Sequence, residues 1–236
     1  MSDFVRRDWG TASYEENATK ILHAEAWSLC GRRAQLRDEV FPFFRHSIYA
    51  WLGLRPVLGQ HTSVEHAAFV RLAAGRSRLV EIGVAEGVSA MALREGMNAE
   101  ATLSLVDPFH LSRAPMLNFT KLAAGRTVNN HSNGTVAWIE KFSHEAARNW
   151  KDPIDLLVVD GDHAEAAVER DWNDWSGFVV AGGIAIFHDA RLFDGGWTSP
   201  HYGPVKLVNK LFRSAGTPGW SIKEEIHSMV VVQRHC

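Results

Sequence analysis

The sequence holds two cysteines in 236 residues, Cys30 and Cys236. They lie far apart, without metal-ligand spacing, which argues against a disulfide framework or a cysteine-zinc site and predicts reduced thiols in a cytosolic (cytoplasmic) protein. Neither sign of charge dominates: 25 Lys and Arg against 27 Asp and Glu leave a net charge of −2. With no basic run to follow a phosphate backbone, nucleic acid is not an expected partner. No stretch approaches the ~18 apolar residues of a membrane span, and the opening MSDFVRRDWG lacks an apolar signal core, so no membrane partner is expected either. Internal repeats and low-complexity linkers are absent too. What remains, 46% hydrophobic and 22% charged residues, fits one large globular domain, with or without an elaborated terminus.

The first sixty residues read as a helical extension. ENATKILHAEAWSLCG, residues 16–31, spaces Ile21, Leu22, Ala26 and Leu29 for a helix that stops at Gly31. RDEVFPFFRHSIYAWLGL, residues 37–54, is dense in aromatics and broken by Pro42; packing or a subunit contact is favoured over a cap above a pocket. This region and the nearly neutral charge make a homodimer an expectation. From residue 61 the pattern alternates. Thr62 and Glu65 have capping-box spacing for a helix closed by Gly75. Short apolar runs follow at 78–83, 102–107, 135–140, 154–160 and 183–189, separated by helical or looped segments. Such strands predict a parallel sheet covered on both faces. WSIKEEIHSMVVVQRH closes the chain as two strands joined at His227–Ser228, too tightly for anything but an antiparallel pair.

Ligands of an open parallel sheet bind beyond the carboxyl ends of its strands. Glu81 lies inside the first strand, and Asp107, Asp160 and Asp189 end the second, fourth and fifth. One such acid is ordinarily a cap or turn residue; four on one rim point to a site. EIGVAEGVSA has Gly83 and Gly87 before a helix, where backbone can approach a ligand closely. The spacing is neither a dinucleotide fingerprint nor a Walker loop. Asp107 stands where a carboxylate accepts from both ribose hydroxyls, so an adenosine-containing ligand without phosphates fits.

These residues, with the closing antiparallel pair, resemble the class I S-adenosylmethionine-dependent methyltransferases. The segment PIDLLVVDGDHAEAAVERDWNDWSGFVVAGGIAIFHDA, with its DGDH and FHD signatures, resembles more closely the small-molecule O-methyltransferases related to catechol and macrolide-sugar O-methyltransferases. The resemblance covers about residues 60–236. It implies an α/β fold: a Rossmann-like seven-stranded methyltransferase sheet, mostly parallel with an antiparallel C-terminal strand. The domain would span 61–236, behind the extension 1–60. Gly83, Gly87 and Ser89 would line the methionine part of S-adenosylmethionine, Glu81 would orient its ammonium group, and Asp107 would hold its ribose. Ser143 and His144 would touch the adenine. Asp160 and Asp189 would bind a divalent cation, Mg or Mn, and His163 would be the general base. Catechol-type enzymes follow the second metal Asp with Asn, where this chain has Ala190. The sugar-type relatives precede it with an acid, where this chain has His188. His188 is then a third ligand for a softer metal, a second base, or a rim residue. Asp162 would cap the next helix or hold an imidazole tautomer. Trp197, His201 and Tyr202, on a long Gly- and Pro-containing loop, are candidate contacts to a small-molecule acceptor.

The expected function is therefore methyl transfer to a hydroxyl of a small molecule, a sugar or a secondary-metabolite scaffold. Three alternatives remain: a methyltransferase with a non-hydroxyl acceptor, a non-catalytic binding or scaffold protein on the same fold, and a nicotinamide-dependent oxidoreductase. The E-x-G-x-x-x-G spacing and the terminal strand pair count against the last.

Overall fold

The computed structural model describes residues 45–109 and 117–235. The expected helix over 16–31, the first part of the aromatic stretch and both cysteines lie outside the described residues. So do residues 110–116.

Seven strands form one sheet, in the order β3-β2-β1-β4-β5-β7-β6. They are β1 (Arg78–Ile82), β2 (Thr102–Val106), β3 (Thr135–Ile139), β4 (Ile154–Val159), β5 (Val179–Phe187), β6 (Trp220–Ile226) and β7 (Met229–Arg234). The first five run parallel, and β7 is antiparallel to both its neighbours. This is the expected Rossmann-like sheet, with its tight final turn at His227–Ser228.

Side chains of a strand alternate between faces, and both faces here are apolar, as parallel strands under helices require. Leu156 and Val158 of β4 join one core with Leu79, Leu105, Ile186 and Val231. Helices α1 (Ser63–Ala73) and α2 (Val88–Gly96) cover that face through Phe69, Leu72 and Leu93. Leu157 and Val159 join a second core with Val80, Ile82, Ala185 and Phe187. Trp172 and Trp175 of α5 (Glu165–Trp175) cover it. Two further helices, α3 (Phe119–Val128) and the short α4 (Ser143–Ala147), complete the alternation. After β5 comes α6 (Gly203–Val208), which runs on into a π-helical turn, Asn209–Ser214.

Strand β5 begins at Val179, ahead of the expected 183. The expected strand opens at Gly183, but Val179 already pairs with Ile154, and the β4–β5 register shifts between Ile154 and Leu156, where Gly182 has φ +79°. The glycines therefore sit in an irregular stretch of one strand rather than before it. The capping box forms as expected: Thr62 Oγ1 accepts from the Glu65 amide (3.1 Å) and Glu65 Oε2 from the Thr62 amide (2.7 Å). Among the described residues, no helix is long and apolar enough to cross a membrane.

The strand order reverses between β1 and β4, which places a crevice beyond their carboxyl ends. A cavity lies there, and residues of the glycine loop, Asp107, Asp160, His163, His188 and Asp189 line it together.

Candidate active site

The turn after β1 is shaped by its protein neighbours. Gly83 has φ +82°, and a Cβ there would stand 2.1 Å from the Asp160 carbonyl oxygen. Gly87, at φ +83°, opens α2 against Ala124 and Val128 of α3. Both glycines were expected for close approach to a ligand; the backbone of β4's end and helix α3 already require them. The two oxygens of Asp107 accept from three amides, Val84 (2.9 Å), Ala85 (3.1 Å) and Phe109 (2.6 Å). Its carboxylate thus ties the ends of β1 and β2 together.

Glu81 is fully buried beneath this turn. Ser89 donates to Oε1, and Oε2 has no hydrogen-bond partner among the described residues. Burial, offset in part by Ser89 and reinforced by Asp160 and Asp107, pushes the carboxyl up to about 8. An unpartnered acid oxygen under a cavity fits a cationic ligand group such as the cofactor's ammonium.

At the ends of β4 and β5, Asp160, His163 and Asp189 each offer a ligand atom within 4.8 Å of the others. His163 Nε2 stands 3.8 Å from Asp160 Oδ1 and 3.5 Å from Asp189 Oδ2. His188 Nδ1 lies 3.3 Å from Asp160 Oδ1 and 3.4 Å from Asp189 Oδ1. Burial alone would lower His188, but Asp160 and Asp189 raise it to about 10. Burial would lower His163 too, but the nearby Asp160 and Asp189 carboxylates outweigh it and raise the group. Burial works against the Asp160 charge, yet the two imidazoles hold that group far below the ordinary carboxylate range. At Asp189 burial prevails and raises the group despite His188 and His163. Asp189 has φ +52°, a left-handed conformation that Asp tolerates better than most residues.

The loop after β5 packs into the site. Trp197 Nε1 donates to Asp189 Oδ1 (2.7 Å), and Tyr202 stacks on His163 with ring centroids 5.6 Å apart. His201 is exposed. Asp162 accepts from the Ala164 amide at 2.9 Å, an Asx turn ahead of α5; it does not cap that helix, whose N-cap is Ala164 without a side-chain cap. Ser143 and His144 do not line the cavity. The Ser143 hydroxyl accepts from Trp175 Nε1 (2.8 Å) and bonds Asp171, an acid that burial pushes up to about 6. His144 Nδ1 is buried with no hydrogen-bond partner among the described residues.

Sequence reasoning missed three residues. His61 lines the cavity as a third imidazole, and burial lowers it to about 4. Glu65, known only as a cap, also accepts from the Ser228 amide (2.8 Å) and hydroxyl (2.6 Å). Glu86, between Gly83 and Gly87, is fully buried. An acid inside the short apolar turn VAEGV was the available signal for it.

Residues 80–190 match the family model of a methyltransferase domain. Solved structures share the fold at low identity. The O-methyltransferase TomG from Streptomyces achromogenes, in complex with S-adenosylmethionine, is 11% identical with a TM-score of 0.56; the match covers 91% of this chain and 100% of that one. An O-methyltransferase from Bacillus cereus in complex with S-adenosylhomocysteine is 14% identical with a TM-score of 0.52, covering 90% and 100%. An rRNA methylase from Streptococcus thermophilus is 9% identical with a TM-score of 0.52, covering 75% and 100%. The family match and the strand order agree on a methyltransferase domain, built on a Rossmann-like sheet, over residues 80–190.

Proposed function

We propose that the protein transfers the methyl group of S-adenosylmethionine to a hydroxyl oxygen of a small molecule. The observation that carries this reading is that the glycine loop and the Asp160–His163–Asp189 cluster line one cavity. A methyl donor held by the first would face a hydroxyl held by the second. The net charge of −2 supports a small acceptor over the RNA substrates of some fold neighbours.

Toward the cofactor, Glu81 would receive the ammonium group, with Ser89 fixing the carboxyl, and Gly83 and Gly87 would supply the close backbone. Asp107 retains acceptor capacity for a ribose hydroxyl beyond its three amides. Of the expected adenine contacts, Ser143 is committed to Trp175 and Asp171 and His144 lies outside the cavity lining, so neither supports the adenine position.

Toward the acceptor, the Asp160 and Asp189 carboxylates, with the His188 imidazole beside both, form a donor set that fits a divalent cation and leaves His163 free of it. A bound cation would acidify a hydroxyl oxygen and fix its aim. Its positive charge would also return the imidazoles toward neutrality, which a base requires. His163 would accept the hydroxyl proton as the oxygen–methyl bond forms and the sulfur–methyl bond breaks. His188 would be the third ligand or hold the two carboxylates in register. A second, metal-free reading rests on the same His188: raised to about 10 and buried between Asp160 and Asp189, its imidazolium would supply the positive charge.

Calorimetric titration of metal-stripped protein with S-adenosylhomocysteine, without and with Mg²⁺ or Mn²⁺, tests these statements. Cofactor binding, together with a cation heat lost in Asp160→Ala, is expected. Cofactor binding with no cation heat selects the metal-free reading. No cofactor binding by folded protein overturns the proposal.

A further inference from the structure

Glu86 lies in the turn that the cofactor would occupy, yet its contacts go to the segment preceding α1. Its Oε1 accepts from the Ser47 hydroxyl (2.9 Å) and its Oε2 from the Leu58 amide (2.6 Å). His46 Nε2 stands 3.5 Å from Oε2, and the Ser47 hydroxyl also meets Thr120 Oγ1 at 3.3 Å. Residues 45–52 are helical. Beyond them, Leu58, Gly59, Gln60 and His61 form a wall of the cavity that Val84, Ser89, Asp160 and His163 also line. Gly59 is pressed onto the start of α2, where an added Cβ would stand 2.6 Å from Val88 Cγ2. A buried carboxylate is costly unless its oxygens are satisfied, and donors of this segment satisfy both.

Building on the cofactor site assigned above, we infer that Glu86 is a positioning residue. It fastens residues 57–61 across the cofactor loop, so that seating this wall and filling the cofactor site are one coupled event. The coupling is direct because Glu86 lies on the loop between Gly83 and Gly87. A displaced wall frees the carboxylate and loosens the turn, and a turn fixed by ligand holds the carboxylate in place for Leu58 and Ser47.

Amide hydrogen exchange of the full chain, with and without S-adenosylhomocysteine, tests this alongside calorimetric affinity. In the wild type, the ligand should slow exchange of the Leu58 amide by about tenfold or more. Glu86→Ala should release that amide to fast exchange and weaken ligand affinity by about tenfold, the scale of losing one hydrogen bond to a charged group. Exchange in β1 and β4 should stay slow. Glu86→Gln should restore both readouts to within about threefold, because its amide oxygen can accept from Leu58 and its nitrogen can donate to Ser47. If Glu86→Ala does not fold, Ser47→Ala, which removes one donor to the Glu86 carboxylate together with the contact to Thr120, should shift both readouts in the same direction. Wild-type affinity in a variant whose Leu58 amide exchanges fast would overturn the coupling, as would an unchanged Leu58 amide in Glu86→Ala. If the wild type binds no ligand while its Leu58 protection still depends on Glu86, the cofactor site itself is wrong and the coupling falls with it.

Discussion

The indole of Trp197 donates to Asp189 Oδ1 at 2.7 Å, so the loop after β5 grips a carboxylate at the end of its own strand. Trp197→Phe keeps the ring against Phe193, 5.2 Å away, and removes only the donor. Methyl transfer should fall about tenfold, in line with one hydrogen bond to a carboxylate, while the thermal midpoint shifts little. Initial rates with a hydroxyl acceptor check this; an unchanged rate would remove Asp189 from the chemistry.

Gly83 and Gly75 have nearly the same backbone, φ +82° and +76°, but different surroundings. A Cβ at Gly83 strikes the Asp160 carbonyl, whereas nothing lies within 4 Å of one at Gly75. Gly75→Ala should cost about 1 kcal/mol, the strain of the left-handed region alone. Gly83→Ala should cost about 3 kcal/mol or more, because backbone must move. Urea unfolding of the two variants separates strain from collision.

Glu81 makes the unliganded protein pH-sensitive. Burial pushes its carboxyl up to about 8 in the folded state, above the ordinary 4.5, so between those values the folded state holds a proton that the unfolded state has lost. Stability therefore falls as pH rises through this window. Glu81→Gln should remove that component, unfolding later than wild type at pH 8 and nearly alike at pH 4.5, and should lose S-adenosylhomocysteine binding. Urea midpoints at three pH values, with one calorimetric titration, read both effects. A wild-type and variant pair with parallel pH profiles would contradict the burial argument.

Two acids near α1 should differ sharply. Glu65 is buried and accepts from Thr62 and from both donors of Ser228. Glu65→Ala should cost about 3 kcal/mol by leaving those donors unpaired. Glu224 forms an exposed pair with Arg71 at 2.6 Å, and Glu224→Ala should cost less than about 1 kcal/mol. Thermal unfolding in low and high salt checks both, since salt should weaken only the Glu224 contribution.

The strands were legible because each is a short apolar run between turn residues, and the last pair because its connection is too short for a crossover. The rim acids Asp160 and Asp189 were legible for the same reason: they end such runs. The start of β5 was not, because Gly182 and Gly183 break the apolar run, and only the pairing of Val179 with Ile154 carries the strand back past them. Asp107 was placed correctly on the rim, but its three amide contacts depend on how two loops meet. Ser143 read as a ligand contact, yet Trp175, brought near by the packing of α5, holds it. His61 sits in LGQHTS, which has no periodicity, and only the path of that segment over the cavity brings it to the site.

The pairing of β1 with both β2 and β4 has a consequence for biosynthesis. Strand β1 finds β2 early, but its other edge stays open while β3 and its flanking helices emerge from the ribosome. An unpaired apolar edge invites aggregation, and long-range parallel pairing is slow. Asp160, His163 and Asp189 join the glycine turn only when β4 and β5 dock, so a nascent chain stalled before β4 would carry that turn without any of the three.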